Sequence, residues 1–207
     1  MSAREDILAR IRSNRPKGMY ALPAVPSFPL AQPDGLVKAF SKALAAMGGR
    51  AMLASEVADL PTWIRTQFDA KVICSAVSEI DGNRDLSQVQ QPRDLADVDV
   101  AVVRAILGVA ETGSVLFTEA QLRVNTLAYL AQHLVVLLSP SAIVKGVQDA
   151  YLHPAFSTAR YAVFHTGPSA TGDIEGVLIH GAQGVRSLTV ILQDASPPEG
   201  FRAAARP

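Results

Sequence analysis

The sequence predicts an α/β fold: a three-layer, open, mostly parallel sheet with helices on both faces, preceded by an N-terminal helical appendage. Three observations carry this. From Asp34 onward, short apolar runs alternate with amphipathic segments of helical period. Hydrophobic residues make up 49% of the chain and charged residues 18%, a globular balance, and 207 residues suffice for one substantial core. Five prolines between positions 16 and 33 (Pro16, Pro23, Pro26, Pro29, Pro33) block both helix and central strand there. The chain therefore divides into residues 1–33, a helix with a proline-rich extended segment, and residues 34–207, the α/β domain.

The elements follow in order. Ser2 and Glu5 have capping-box spacing, and Ile7, Leu8 and Ile11 share one helical face behind them. Asp34 is placed to cap a second helix with the apolar face Leu36, Val37, Phe40, Leu44 and Met47, ended by Gly48-Gly49. A short strand is expected over 51–54, a weaker helix over 55–68 with Pro61 early in it, and a strand over 71–74. Residues 78–97 are polar and irregular, and 98–103 read as a strand. In 108–118, apolar residues flank Glu111-Thr112-Gly113-Ser114, which predicts two strands joined at a turn where Gly113 takes unusual backbone angles. A short helix over 123–132, a buried strand over His133–Leu138, a helix over 140–151 capped by Ser139, and a strand over 161–164 come next.

Residues 166–192 close the chain. Thr166-Gly167-Pro168-Ser169 is a small-residue turn after a strand. Ser169 or Thr171 is placed to cap a helix beginning near Asp173-Ile174-Glu175, whose acids suit a helix's positive end. Gly181 and Gly184 would end that helix, and Ser187–Leu192 is the last buried strand. A strand, a tight turn and a helix N-terminus together form an anion site, because free backbone N–H groups point at what docks there. A small anionic ligand is thus expected, with Gly167, Ser169, Thr171 and Asp173 as contacts. Asp173 also reads simply as a dipole-complementing residue, and Ser169 and Thr171 simply as caps. In open parallel sheets ligands sit at the carboxyl ends of strands, and the turns at Glu111 and Gly167 are both expected there.

Composition excludes several classes. The formal net charge is zero, without the clustered basic face that nucleic-acid binding needs. No apolar run approaches the roughly 20 residues of a membrane span, and the charged N-terminus lacks a signal-peptide core, so a cytoplasmic location is expected. The single cysteine, Cys74, forms no internal disulfide and is too few for an intrinsic iron–sulfur cluster; it reads as a core thiol. His133, His153, His165 and His180 make no metal-binding spacing, so no metal is assigned, and no cofactor is assigned to this chain. His165 adjoins the Gly167 turn and reads as a structural histidine that faces the same cleft. Gly-x-Ser-x-Gly, Gly-x-Gly-x-x-Gly and Walker A patterns do not occur.

Glu111 is the strongest catalytic candidate. A carboxylate beside a tight turn between apolar strands is expected to be partly desolvated, which would suit a base, a nucleophile or a ligand contact. The alternative is a carboxylate that bonds backbone N–H groups and fixes the turn. Thr112 and Gly113 belong to the same expected binding turn.

Gly108-Val109-Ala110-Glu111-Thr112-Gly113-Ser114 is similar to the Gly-[Ile/Val]-Ala-Glu-Thr-Gly-[Thr/Ser] segment of the lactate-utilization C subunit family, the LUD domain. Thr166-Gly167-Pro168-Ser169, with Thr171, Asp173, Ile174 and Glu175, resembles that family's Thr-Gly-Pro-Ser-x-Thr-x-Asp-Ile-Glu segment, and Ser187–Leu192 fits the strand after it. The resemblance implies a fold like that of ribose-5-phosphate isomerases and CoA transferases. It implies an accessory, non-redox role in oxidising L-lactate to pyruvate beside iron–sulfur partner subunits. The chain departs from the family pattern at Ala170, where arginine is frequent, and at Gln183, where histidine is frequent. An alternative is a small-molecule-binding protein or an acyl- or CoA-transfer enzyme using Glu111. A third is a divergent paralogue that keeps the fold without the partner.

Overall fold

The computed structural model describes residues 2–18, 21 and 35–193. The elements are α1 (Ala3–Ser13), α2 (Leu36–Ala46), β1 (Arg50–Leu53), α3 (Leu60–Gln67), β2 (Ile73–Ser75), β3 (Val100–Arg104), β4 (Leu107–Val109), β5 (Ser114–Thr118), α4 (Glu119–Leu122) and α5 (Leu127–Leu130). They continue with β6 (His133–Leu138), β7 (Ile143–Val144), α6 (Val147–Tyr151), α7 (Ala155–Thr158), β8 (Ala162–His165), β9 (Ala170–Ile174), β10 (Val177–His180) and β11 (Ser187–Leu192). The expected cap Asp34 and most of the proline-rich segment lie outside the described residues.

The α/β class is as expected. A five-stranded, wholly parallel sheet runs in the order β1-β11-β6-β3-β2. Its strands are nearly continuous apolar runs, as a sheet covered on both faces requires. Alternate residues point to opposite faces. Val100, Val102, Val135, Leu137 and Ile191 join Ile64 of α3 in one core cluster. Ala101, Val103, Leu134, Val136 and Val190 join Phe40 and Leu44 of α2 in another.

The layering differs from three layers around one sheet. β4, β5, β7 and β8 form a second, mixed sheet in the order β7-β4-β5-β8, and its inner residues Val115 and Phe117 belong to the α2 core. The reason is connection length. Four residues separate β4 from β5, enough for an antiparallel turn and far too few for a parallel crossover.

Two expected helices are absent. The segment 140–151 is a short 3₁₀ turn, then β7, then α6. Ile143 and Val144 leave helical geometry to pair with Gly108 and Val109 of β4. The helix expected from Asp173 is instead the hairpin β9–β10. Its two-residue loop, Glu175-Gly176, has φ of 55° and 70°, the backbone of a type I′ turn, which favours glycine. The acids that mimic a helix's first turn are a strand residue and a turn residue. Between 123 and 132 only the single turn of α5 is helical. Among the described residues, no helix is long and apolar enough to cross a membrane.

Candidate functional site

The two informative turns meet at one end of the second sheet. β5 and β8 pair antiparallel with Val115 opposite His165, which puts the start of β5 beside the end of β8. Ser114 is buried, and its Oγ lies 2.7 Å from Thr112 Oγ1 and 2.5 Å from Thr166 Oγ1. A chain of three hydroxyls thus joins the turn after Glu111 to the turn before Gly167.

Both turns press on α2 and its end. Gly113 has φ 70°, and a Cβ there would sit 2.2 Å from the backbone nitrogen of Leu44. Gly167 has φ 68°, and a Cβ there would sit 2.2 Å from the carbonyl oxygen of Met47. Glycine is demanded twice over at each, by the left-handed backbone and by the close approach.

Beyond Gly167 the chain is fastened at Ser169. Its N–H donates to the Val185 carbonyl at 2.9 Å, its carbonyl accepts from the Gly181 N–H at 2.6 Å, and its Oγ donates to the Gln183 carbonyl at 2.6 Å. These bonds hold the 181–185 loop against the Thr166–Ser169 turn. Between them and α5 lies a cleft of about 320 Å³, lined by Tyr129, His165, Thr166, Ser169, Gln183 and Val185 among others. No lining residue is charged.

His165 is the distinctive group in this wall. Its ring lies 5.4 Å from Phe117 and 4.9 Å from Tyr129, centroid to centroid. Its Nε2 is buried without a hydrogen-bond partner. Burial pushes its pKa down to about 4, so the imidazole is neutral at neutral pH. Tyr129 bonds its hydroxyl to that of Tyr161, and burial followed by this bond raises its phenol well above the ordinary range. The wall therefore offers neutral polar groups on an apolar floor.

A pH dependence follows from His165. The unfolded histidine titrates near the ordinary value of 6.5 and the folded one near 4, so the unfolded state binds more protons between them. His165's contribution is fully present above about pH 6.5 and is lost as pH falls toward 4. His133 and His153 are also shifted downward, mainly by burial, and act in the same direction. We predict that His165→Phe flattens the fall in urea midpoint between pH 7 and pH 5. A midpoint that falls as steeply in the variant would refute His165 as its source.

The expected site residues divide. Gly167 and Ser169 line the cleft. Thr112 is half-buried and Gly113 buried, and they reach the cleft only through Ser114 and Thr166. Thr171 and Asp173 sit on the hairpin, where Thr171 Oγ1 accepts the Asp173 N–H at 3.3 Å and Asp173 is exposed. Neither lines the cleft.

The helix N-terminus that was to hold an anion is not formed, and no cationic side chain lines the cleft, so the anion site loses its physical basis. The cleft lies at the carboxyl end of β8, which Thr166 and Gly167 follow, and at the amino ends of β6 and β11 of the parallel sheet, which Tyr129 and Val185 precede.

Glu111 is exposed, so the expected desolvation does not hold. Its own N–H donates to the Lys145 carbonyl at 3.1 Å, and its Oε2 accepts the Val147 N–H at 3.0 Å, in the first turn of α6. It is not a cleft residue. Removing a side-chain acceptor from a helix start costs about 1 kcal/mol. Glu111→Ala is expected to lose roughly that much stability by chemical denaturation. An unchanged midpoint would show that the Val147 bond contributes nothing.

A sequence profile of the LUD domain matches residues 82–193, which contain both turns, the hydroxyl chain and the whole cleft lining. The chain belongs to the LUD domain family. Among solved structures, the LUD protein is similar to the crystal structure of a DUF162 family protein from Deinococcus radiodurans. The two share 18% identity with a TM-score of 0.55, covering 79% of this chain and 99% of that one, a likeness of fold. No curated protein matches the chain. Within this LUD domain, the family's frequent histidine falls on Gln183, in the cleft wall that also carries His165. Ala170, at the family's frequent arginine, opens β9 opposite His180. Among the described residues no group of three or more His, Cys, Asp or Glu side chains is placed to hold a metal ion.

Sequence reasoning missed Tyr129, Thr166 and Gln183 as cleft residues. Thr166 was within reach, being the first residue of a turn already singled out. Tyr129 carries no local signal; packing of α5 brings it to His165.

Proposed function

We propose that this protein is an accessory, non-redox subunit in lactate utilization, acting beside iron–sulfur partner subunits that oxidise L-lactate to pyruvate. The observation that carries the reading is the LUD match, which spans both turns and the hydroxyl chain that links them. Cys74 is consistent with a non-redox role. It is the only cysteine of the sequence and is wholly buried in β2, with its thiol pushed up to about 11 chiefly by burial. A protonated core thiol is neither a nucleophile nor a cluster ligand. On this reading the chain contributes a folded scaffold and the cleft at His165, and electron transfer belongs to the partners.

The test is genetic and biochemical. Deleting the gene is expected to impair growth on L-lactate as sole carbon source while leaving growth on pyruvate intact. The tagged protein is expected to co-purify from native extract with iron–sulfur proteins. Normal growth on lactate together with purification free of iron–sulfur partners would overturn the proposal. No observation of the site favours the acyl- or CoA-transfer reading in particular, since Glu111 faces the start of α6 and the cleft lacks a carboxylate.

A further inference from the structure

Two apolar surfaces of this chain are left uncovered, and they complement one another. α1 is properly formed: the Ser2 N–H donates to Glu5 Oε2 at 2.7 Å, and the Glu5 N–H donates to Ser2 Oγ at 3.3 Å. Yet none of its residues is buried. Ile7 and Ile11, one turn apart on the same face, are 58% and 60% exposed. An isolated eleven-residue helix is marginal in water, so a formed α1 with a bare apolar face calls for a surface to pack on.

The hairpin β9–β10 is the matching surface. Among the described residues it is a two-stranded sheet of its own. Ile174 and Val177 are direct cross-strand neighbours, so their side chains share one face. They are 50% and 59% exposed. The result is an exposed apolar patch beside the hairpin's turn, against which the bare face of a helix can pack.

Charge agrees with shape. The described N-terminal stretch 2–18 carries Arg4, Arg10, Arg12, Arg15 and Lys17 against Glu5 and Asp6, a net charge of +3. The hairpin carries Asp173 and Glu175 and no lysine or arginine, a net charge of −2 with His180 neutral. Opposite potentials steer two such surfaces together and suppress wrong pairings. Among the described residues of the single chain both surfaces remain exposed. A two-fold arrangement covers both at once, because helix meets hairpin and hairpin meets helix in the same closed pair.

We propose that α1 of one copy docks across the β9–β10 hairpin of a second copy, and that the protein is a dimer joined by this reciprocal contact. The full-length chain is followed by sedimentation across a micromolar concentration range. The wild type is expected to dimerise, less tightly at high salt. Ile11→Asp and Val177→Asp are each expected to weaken the dimer by at least about tenfold. Ile11→Asp alters only an exposed helix residue, so a folding defect in the hairpin variant does not blur the result. In a second experiment, chains carrying Ile11→Cys are mixed with chains carrying Val177→Cys and treated with a bismaleimide. A covalent two-chain species is expected only in the mixture, since Cys74 is buried and protonated. A chain that stays monomeric, a dimer indifferent to both substitutions, or a mixture that yields no cross-linked pair overturns the proposal. A single chain carrying both cysteines that links only within itself overturns the second copy as occupant.

Discussion

Replacing Gly113 by alanine is expected to destabilise the protein by about 2–4 kcal/mol, enough to remove much of the stability of a typical domain. Two costs combine. A φ of 70° is strained for any residue with a Cβ. The new methyl would also sit 2.2 Å from the Leu44 nitrogen and 2.5 Å from its Cα, which are backbone atoms of a packed helix. A side chain in the way would rotate aside, but here α2 as a whole must retreat. Because α2 roofs the core between the two sheets, its retreat loosens contacts well beyond the turn. Gly172→Ala is the control: nothing lies within 4 Å of its added Cβ, and a near-neutral effect is expected. Chemical denaturation of both variants decides it, and equal midpoints would show that the turn yields more easily than its packing implies.

Phe40→Ala should cost about 3–5 kcal/mol, the range for emptying a fully buried aromatic site. Phe40 is wholly buried on the inner face of α2. Its ring approaches Gly108 of β4 closely enough that a Cβ on that glycine would lie 3.1 Å from the ring edge, with Leu138 of β6 at 2.8 Å. Phe40 thus belongs to the core cluster that residues of both sheets share. Leu36→Ala, on the same helix but 36% exposed, provides the contrast and should cost far less. Comparable losses at the two positions would mean that α2 is held by something other than this seam.

Much of the fold was legible because its strongest signals are long and one-sided. His133–Leu138 and Ser187–Leu192 are largely apolar runs, and both form inner strands of the parallel sheet where the pattern placed them. The turn at Gly113 was legible from small and polar residues between apolar flanks. The failures share one physical cause. In segments of a few residues, the same letters serve helix caps and hairpin turns. Asp173-Ile174-Glu175 after a serine and a threonine looks like a helix's first turn, yet Glu175-Gly176 before Val177 is equally a type I′ loop between strands. Pairing partners decide between them, and those lie elsewhere in the chain. Likewise the pattern 140–151 hid β7, whose existence depends on β4 lying alongside.

The candidate site was half legible for a similar reason. Gly167 and Ser169 announced themselves as a turn, and His165 stood next to it. Gln183 and Tyr129 enter the cleft because Ser169 fastens one loop and α5 packs beside the other wall. Glu111 sits in a turn between apolar strands, a setting that suggests burial, yet the turn carries its carboxylate outward to α6.

The three hydroxyls at Thr112, Ser114 and Thr166 bear on how the protein can change over time. Ser114 is the middle member, so losing its hydroxyl strands two partners at once, one in each turn. Substitutions at the two ends should therefore be non-additive, with the second costing less once the first has been made. The two stretches of sequence that look like separate signatures are, for selection, one unit. Lineages are expected to keep all three hydroxyls together or to surrender them together.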